Sequence, residues 1–587
     1  MNRNILRLVL ASIAVLFLEL TAIAGLPAGE ELAVSHCESG SSGGHLVVSL
    51  RSEPKTLNPV VSNDISSREV LALTHADLIH IDRATQQTQA ALAKSWKVSS
   101  DGLKYTLQLR RGLRFSDGVP FDADDVVFSF KLYLDQSLSP PQRDLLIING
   151  KGISVEKTGS YTVTVSLPGP YASAERLFDS IAILPKHILE KPYQYGKLAH
   201  TWALDTSPEQ LVGLGPFRLK SYVPGQNLTL EKNPFYWKAD RRGVRLPYLS
   251  EITFLFVGNE DAEVLRFAAG ETDLMNRISA QNYNALEREQ ASRGFRLYDL
   301  GPSLEYNFLL FNLNGQIPAQ SKDVLRKQEW FRDVRFRQAI SLAIDREAMN
   351  HIVYQGRGAP IWTHVTPGNL LWQDASIPHP LRSLAKSREF LRSAGFTWRS
   401  DGSLVDSRNI PVEFSILTSA SSNQRTQMAT MLQEDLRPLG IEIHVVPLEF
   451  RTMLDRVFQT HDYEAAVMGL GGGDVDPNSQ INVWLSSGDD HLWDLGETKP
   501  STSWEADIDH LMELQVSTLK ERDRKRLYDR VQEIEAENLP IICLVSPDIL
   551  VGAKERLGNF HPSTLDSHTL WNADELFFAP ERRASSH

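Results

Sequence analysis

The chain has 587 residues, of which 42% are hydrophobic and 23% charged, and its net charge is −12. That length corresponds to about three or four ordinary domains, with enough apolar residues for a large core. The acidic balance excludes a nucleic-acid backbone as partner, since phosphate binding needs a basic face, and two cysteines exclude a disulfide framework.

The N-terminus reads as an export leader. Arg3 and Arg7 give a positive start, residues 5–18 are apolar, and Ala22-Ile23-Ala24 is a small-x-small cleavage site. The apolar run is short for a membrane span, and Glu19 interrupts its end. Cleavage after Ala24 would release the protein to the periplasm or the exterior. Residues 25–44 read as a flexible tether, rich in serine and glycine at its end. Cys37 offers a second reading, a lipid anchor. Val34-Ser35-His36 fits a lipobox poorly because His36 replaces a small residue, so plain secretion ranks first.

Residues 46–50 alternate as a first strand, and a helix is expected between Ile65 and Ile79. Residues 96–110 predict a hairpin turned by Asp101-Gly102, because Asp-Gly supplies the positive φ such turns need. Asp122 is expected to cap a helix, with Asp125 in its first turn and Phe121 and Val126 as a staple. The acids Asp122, Asp124 and Asp125 lack the oxygen spacing of a calcium loop, so capping is their expected role. A second hairpin is predicted over residues 153–165, strands over 217–222, 228–230 and 252–257, and a helix ending at Gly270. Residues 333–354 read as two helices, the second capped by Asp345, and 384–394 as another. Residues 508–538 read as one charged helix with Leu511, Leu514, Leu519, Leu527, Val531 and Ile534 inward. Cys543, in the apolar run 541–545, is expected to be a buried thiol.

Residues 411–477 predict strand, helix, strand, helix, strand. Residues 412–417 and 441–446 alternate, and Met428, Met431, Leu432 and Leu436 stand at helical spacing. Pro438 and Gly440 end that helix. Residues 463–468 form an apolar run fit for a strand covered on both faces. This order favours parallel pairing, with ligands gathering beyond the carboxyl ends of the strands. The loop 469–477 sits at such an end. Its glycines Gly472 and Gly473 allow close backbone approach, and Asp474 and Asp476 offer negative charge. The alternative is a mobile turn with solvated acids. The one Gly-x-Ser-x-Gly run, residues 40–44, lies in the tether and not between a strand and a helix as a hydrolase elbow needs, and no zinc helix or phosphate loop occurs. The 16 histidines show no metal-ligand spacing, so neither metal nor cofactor is expected.

Several stretches together resemble a known family. Residues 115–129 (Phe-Ser-Asp-Gly-Val-Pro-Phe-Asp-Ala-Asp-Asp-Val-Val-Phe-Ser) resemble the signature of bacterial extracellular solute-binding proteins of family 5, the oligopeptide-, dipeptide- and nickel-binding proteins of ABC importers. Gly213-Leu214-Gly215-Pro216-Phe217, Asn233-Pro234-Phe235-Tyr236-Trp237, residues 334–340 and residues 343–347 match later motifs in the expected order. The resemblance implies an α/β, bilobal, periplasmic-binding-protein-like fold of type II, the large peptide-binding type, with an extra subdomain inserted in lobe I. Residues 45–81, 211–303 and 539–580 would form lobe I, 82–210 the insert and 304–538 lobe II.

The resemblance further implies a receptor that delivers a peptide-like ligand to a membrane ABC permease as a monomer, without chemistry. Nickel chelate, haem or oligosaccharide are alternatives within the same fold; a secreted enzyme is the alternative of another class. In peptide-binding relatives a loop aspartate meets the ligand's amino group, and Asp474 is the nearest match. The pattern departs here: Gly473 stands where that aspartate usually falls, and Leu470 near the place of a tryptophan. Trp484 and Trp493 are candidates to wall side-chain pockets, or are ordinary core. Arg357 and His364 are candidates for a ligand carboxylate, or are solvated. Tyr306 and Asn307, near a predicted lobe crossing, either touch ligand or pack.

Overall fold

The computed structural model describes residues 29–148, 150–179, 181–317, 321–471 and 473–580. The leader, its cleavage site and Gly472 lie outside the described residues. Three sheets carry the architecture. The first has the strand order Phe217–Val223, Asn227–Lys232, Glu251–Phe256, His45–Leu50, Leu274–Met275, Val545–Lys554 and Phe295–Pro302, with Gly358–Pro360 paired to the side of Val545–Lys554. The second is the antiparallel insert Ala93–Val98, Lys104–Leu109, Thr162–Ser166 and Ser154–Gly159. Its first hairpin turns at Gly102, φ +71°, as the Asp-Gly pair predicts. One hydrophobic core unites these two sheets as lobe I with its insert.

The acid cluster in the insert is accounted for by the helix Ala123–Leu134. Asp122 accepts from the Asp124 amide, and Asp125 reaches back to the Asp122 amide, closing a capping box. Asp124 pairs with Lys157 at 2.5 Å.

The third sheet builds lobe II, in the order Glu442–Leu448, Glu413–Ser419, Ala465–Leu470, Tyr306–Phe311 and Ile541–Cys543. Glu413–Ser419 pairs in parallel with both of its neighbours. The helix Asn423–Leu436 and the shorter Phe450–Leu454 supply the crossovers. Gly440 ends the first of them at φ +79°, and a Cβ there would sit 2.2 Å from the Gly402 carbonyl oxygen. The loop 471–476 therefore leaves the carboxyl end of a central strand.

Three expectations change. The charged helix is two helices, Ser503–Ser517 and Glu521–Asn538, packed on each other. Ser517 and Thr518 turn their hydroxyls onto the Leu514 carbonyl, a local bond that competes with helix continuation. Leu514 and Leu519 are then 39% and 45% exposed instead of inward. The strand Ile541–Cys543 belongs to lobe II, paired with Tyr306–Phe311, so the return to lobe I falls beyond residue 543 and not at 539. Cys543 is buried there.

The tether, over its described part, is fastened down. Ala33–Val34 pairs in parallel with Lys238–Ala239, Leu32 is buried, and Glu31 meets Lys94 at 2.8 Å. Ser35 Oγ donates to Glu575 at 2.5 Å, and the Glu38 amide to Asn559 at 3.1 Å. Cys37 follows this strap. Its amide donates to Ser35 Oγ at 3.1 Å, and the residues before it are pinned. A lipid-bearing Cys37 would begin the chain and forfeit the contacts of residues 30–36.

The two passages between lobes lie side by side. The Ser303 amide donates to the Pro547 carbonyl at 2.8 Å, and Ser546 Oγ to the Ser303 carbonyl at 3.1 Å. Such adjacent crossings form a hinge.

Removing residues 29–38 should destabilise lobe I by about 2–4 kcal/mol, from one buried leucine and the lost strand and side-chain hydrogen bonds. The check is the urea midpoint of the truncated protein; an unmoved midpoint would show that the strap contributes nothing.

Candidate functional site

The loop that leaves Ala465–Leu470 meets the insert across the seam between the lobes. Arg176, in the short helix Ala174–Leu177, donates from Nε to Asp474 Oδ2 at 2.6 Å and from Nη2 to Asp474 Oδ1. Its Nη1 donates to the Gln86 carbonyl at 2.9 Å. Burial works against the arginine charge, but Asp474 outweighs it and raises the Arg176 pKa. Gln86 then reaches into lobe II: Nε2 donates to the Gly368 carbonyl at 2.9 Å, and Oε1 accepts from the Leu370 amide at 3.1 Å. Asn478 Nδ2 donates to Ser173 Oγ at 2.7 Å, and the Ala172 amide to the Val516 carbonyl at 2.7 Å. Leu519 lies against the turn at Gly102, where a Cβ would come within 2.9 Å of it.

Behind this row lobe II holds a void of about 20 Å³, lined by its own residues Leu304, Tyr306, His364, Asn369, Asp474 and Tyr528 among others. That is room for about one water. The lobes are closed on their own side chains.

The expected site residues divide. Asp474 and Tyr306 line the void; Tyr306 is buried and donates to Gln480 Oε1 at 2.9 Å. Leu470 ends its strand half-buried, paired with Tyr306. Gly473 is exposed at φ +60°, and Gly472 lies outside the described residues. The others belong to the framework. Asp476 is 4% exposed and takes both oxygens to Arg524 at 2.6 Å each, while its side chain also caps the turn at Pro477–Gln480. A carboxylate so engaged is not offered to a ligand. Asn307 accepts from Arg425 at 3.1 Å and donates to the Val545 carbonyl at 3.1 Å, at the hinge.

Trp484 and Trp493 are both 1% exposed inside lobe II, where their rings lie 5.5 Å apart; they face no cleft. Arg357 pairs with Asp299 at 2.9 Å and Glu287 at 3.3 Å and covers the Tyr283 ring, so it ties the hinge strand to lobe I. His364 is buried, not solvated: Nδ1 meets Glu535 at 2.6 Å and Nε2 meets the Tyr528 hydroxyl at 2.7 Å. An internal carboxylate holds it, so it has no free charge for a ligand.

Sequence reasoning missed Arg176, Gln86, Ser173 and Asn478. Arg176 sits in a one-turn helix with no periodic signal, and Gln86 in a turn at φ +62° that usually favours glycine or asparagine.

Two α/β lobes, hinged at adjacent crossings and closed over a polar seam, define a solute-binding receptor. Residues 87–491 match the middle region of the bacterial extracellular solute-binding proteins, family 5. A probable ABC transporter-binding protein of Deinococcus radiodurans is 28% identical over 549 residues, 89% of this chain and 90% of its own length. The oligopeptide-binding protein AppA of Bacillus subtilis is 25% identical over 591 residues, 98% of this chain and 99% of its own. The AppA structure with a nonapeptide superposes with a TM-score of 0.67 over 92% of this chain and all of that one. The substrate-binding protein CtaP of Listeria monocytogenes, 21% identical, superposes at 0.74 over 92% of this chain. The chain belongs to the bacterial extracellular solute-binding proteins, family 5. Among the described residues no helix is long and apolar enough to cross a membrane.

The two aspartates should separate in mutation. D476N breaks a buried, doubly bonded ion pair and should cost about 3–5 kcal/mol. D474N breaks a pair whose carboxylate is 31% exposed, and should cost about 1 kcal/mol or less. Urea unfolding of the two variants checks this; equal costs would contradict the division between framework and seam.

Proposed function

We propose that this protein is the exported receptor of an ABC importer, that it closes its lobes around an oligopeptide-like solute, and that it hands the solute unchanged to the membrane permease. The proposed division is lobe I with its insert on one side of the hinge and lobe II on the other. The observation that supports it most is the seam itself. It is held by a short row of polar contacts, from the part-exposed Arg176–Asp474 pair to the buried Gln86 amide, with Ile81 and Leu565 packed into the core of lobe II. A closure held by so few groups is shifted by a ligand that prefers one state. Opening parts Arg176 from Asp474 and leaves that carboxylate at the carboxyl end of the strand Ala465–Leu470. There it is placed to receive a ligand ammonium group, while cleft backbone pairs with an extended ligand like an added strand. The burial of Trp484 and Trp493 removes the open tryptophan platforms that an oligosaccharide would use. A net charge of −12 suits a cationic or amine-bearing solute better than an anionic one.

Native mass spectrometry of protein purified without denaturation should show bound peptide, and calorimetry with short peptides should show one site. D474N and acetylation of the peptide amine should each weaken binding by about tenfold or more, or about 1.4 kcal/mol. Their combination should be less than additive, because both remove one interaction. Equal binding of acetylated and free peptides would remove the amine role of Asp474. Failure to bind any peptide would remove that ligand class and turn the search to nickel chelates, haem and oligosaccharides.

A further inference from the structure

Away from the seam, residues 485–502 run without helix or strand between Ile481–Trp484 and Ser503–Ser517. His491 lies in this segment and is fully buried. Its Nδ1 stands 3.1 Å from the Val483 carbonyl. A carbonyl only accepts, so Nδ1 carries a proton, and Nε2 is the ring nitrogen left to face the carboxylates. That Nε2 has no hydrogen-bond partner, and neither has Glu497 Oε2. Yet Glu497 Oε2 is 3.7 Å from Nε2 and Glu505 Oε1 is 3.8 Å from it, with the side chains of Glu497 and Glu505 only 8% and 3% exposed. The buried nitrogen thus faces two buried carboxylate oxygens at distances just beyond an ordinary hydrogen bond.

We propose that His491, Glu497 and Glu505 hold one divalent transition-metal ion, zinc being the best fit. Zinc bonds of about 2.0–2.2 Å set tetrahedral ligand atoms about 3.4 Å apart, close to the 3.7 and 3.8 Å from His491 to the two glutamates. One imidazole with two carboxylates suits zinc better than calcium or magnesium, which prefer oxygen alone, or copper(I), which prefers sulfur. The groups behind the ligands are in place as well. Val483 orients the imidazole. Trp493 Nε1 donates to Glu505 Oε1 at 3.0 Å, and Ser501 and Thr502 hydroxyls donate to Glu505 Oε2 at 3.0 and 2.7 Å. The ion pins the irregular segment to the first turn of Ser503–Ser517. A second cluster, Asp77, His80 and Asp179, differs: Arg83 already pairs with Asp179, and His80 bonds to Asp77 at 2.8 Å. The three proposed ligands are separated by six and eight residues, two in the irregular segment and Glu505 in the first turn of a helix, so no spacing rule finds them. The expectation of no metal, read from histidine spacing, is revised on these residues.

The test uses the full chain without a tag, stripped with chelator and titrated with zinc. One zinc per chain by mass spectrometric metal analysis, a melting temperature that rises with zinc, and a change in tryptophan emission are expected, since the Trp493 ring lies 4.0 Å from that of His491. Cobalt in its place should give the visible absorption of a tetrahedral site. E497Q, in the loop near the surface, should weaken zinc by about tenfold or more with unchanged circular dichroism, and H491Q should do the same if it folds. Zinc binding by E497Q as tight as by the unaltered protein, or no uptake by the unaltered protein at tenfold excess zinc, overturns the proposal.

Discussion

The structure depends on one constraint: the chain passes between its lobes at two points held together. Ser303 and the pair Ser546 and Pro547 bond to one another where both passages occur. The strand Gly358–Pro360 adds a third rung beside them, and Arg357 anchors that rung to lobe I. Everything between the lobes must therefore move about this line. The seam that closes lies on the side reached by Arg176 and Gln86. Each lobe has its own core, that of lobe II also taking in Ile81 and Leu565, so closing moves two largely finished bodies instead of refolding either.

Two aspartates two residues apart show how position decides role. Asp476 is buried and bonded twice to Arg524; removing either partner would strand a charge where water cannot reach it. Asp474 stands one turn of the loop earlier, half in solvent, and faces an arginine from the opposite lobe. The same side chain is scaffold in one place and exchangeable contact in the other. Val475 separates them; it is buried, with its carbonyl held by Asn369, and fixes which aspartate points in and which points across.

Much of the fold was legible in the sequence because local rules and tertiary packing agreed. The stop at Pro438 and Gly440, the capping box at Asp122 and Asp125, and the alternation in residues 412–417 each name their structure directly. The break at residues 518–520 was not legible, since leucine spacing continued across it while two hydroxyls bonded backward. Of the site, Asp474 and Tyr306 came from their place at a strand end. Arg176 did not, because an ion pair across nearly 300 residues of chain leaves no mark on either neighbourhood. Trp484 and Trp493 misled because large aromatic rings serve cores as readily as pockets. His364 did so because a histidine bonded to a buried glutamate looks the same in a sequence as one in water.

The strap carries a consequence for how the molecule is held. Ala33–Val34 lies beside Lys238–Ala239, and nearby Ser41 Oγ bonds to the Phe578 carbonyl, in the small sheet Leu557–Gly558 with Phe577–Phe578. Both ends of the described chain thus ride on the same half. In the proposed hinged closure, a grip on either of these described ends would hold that half still and leave the half carrying Asp474 to swing.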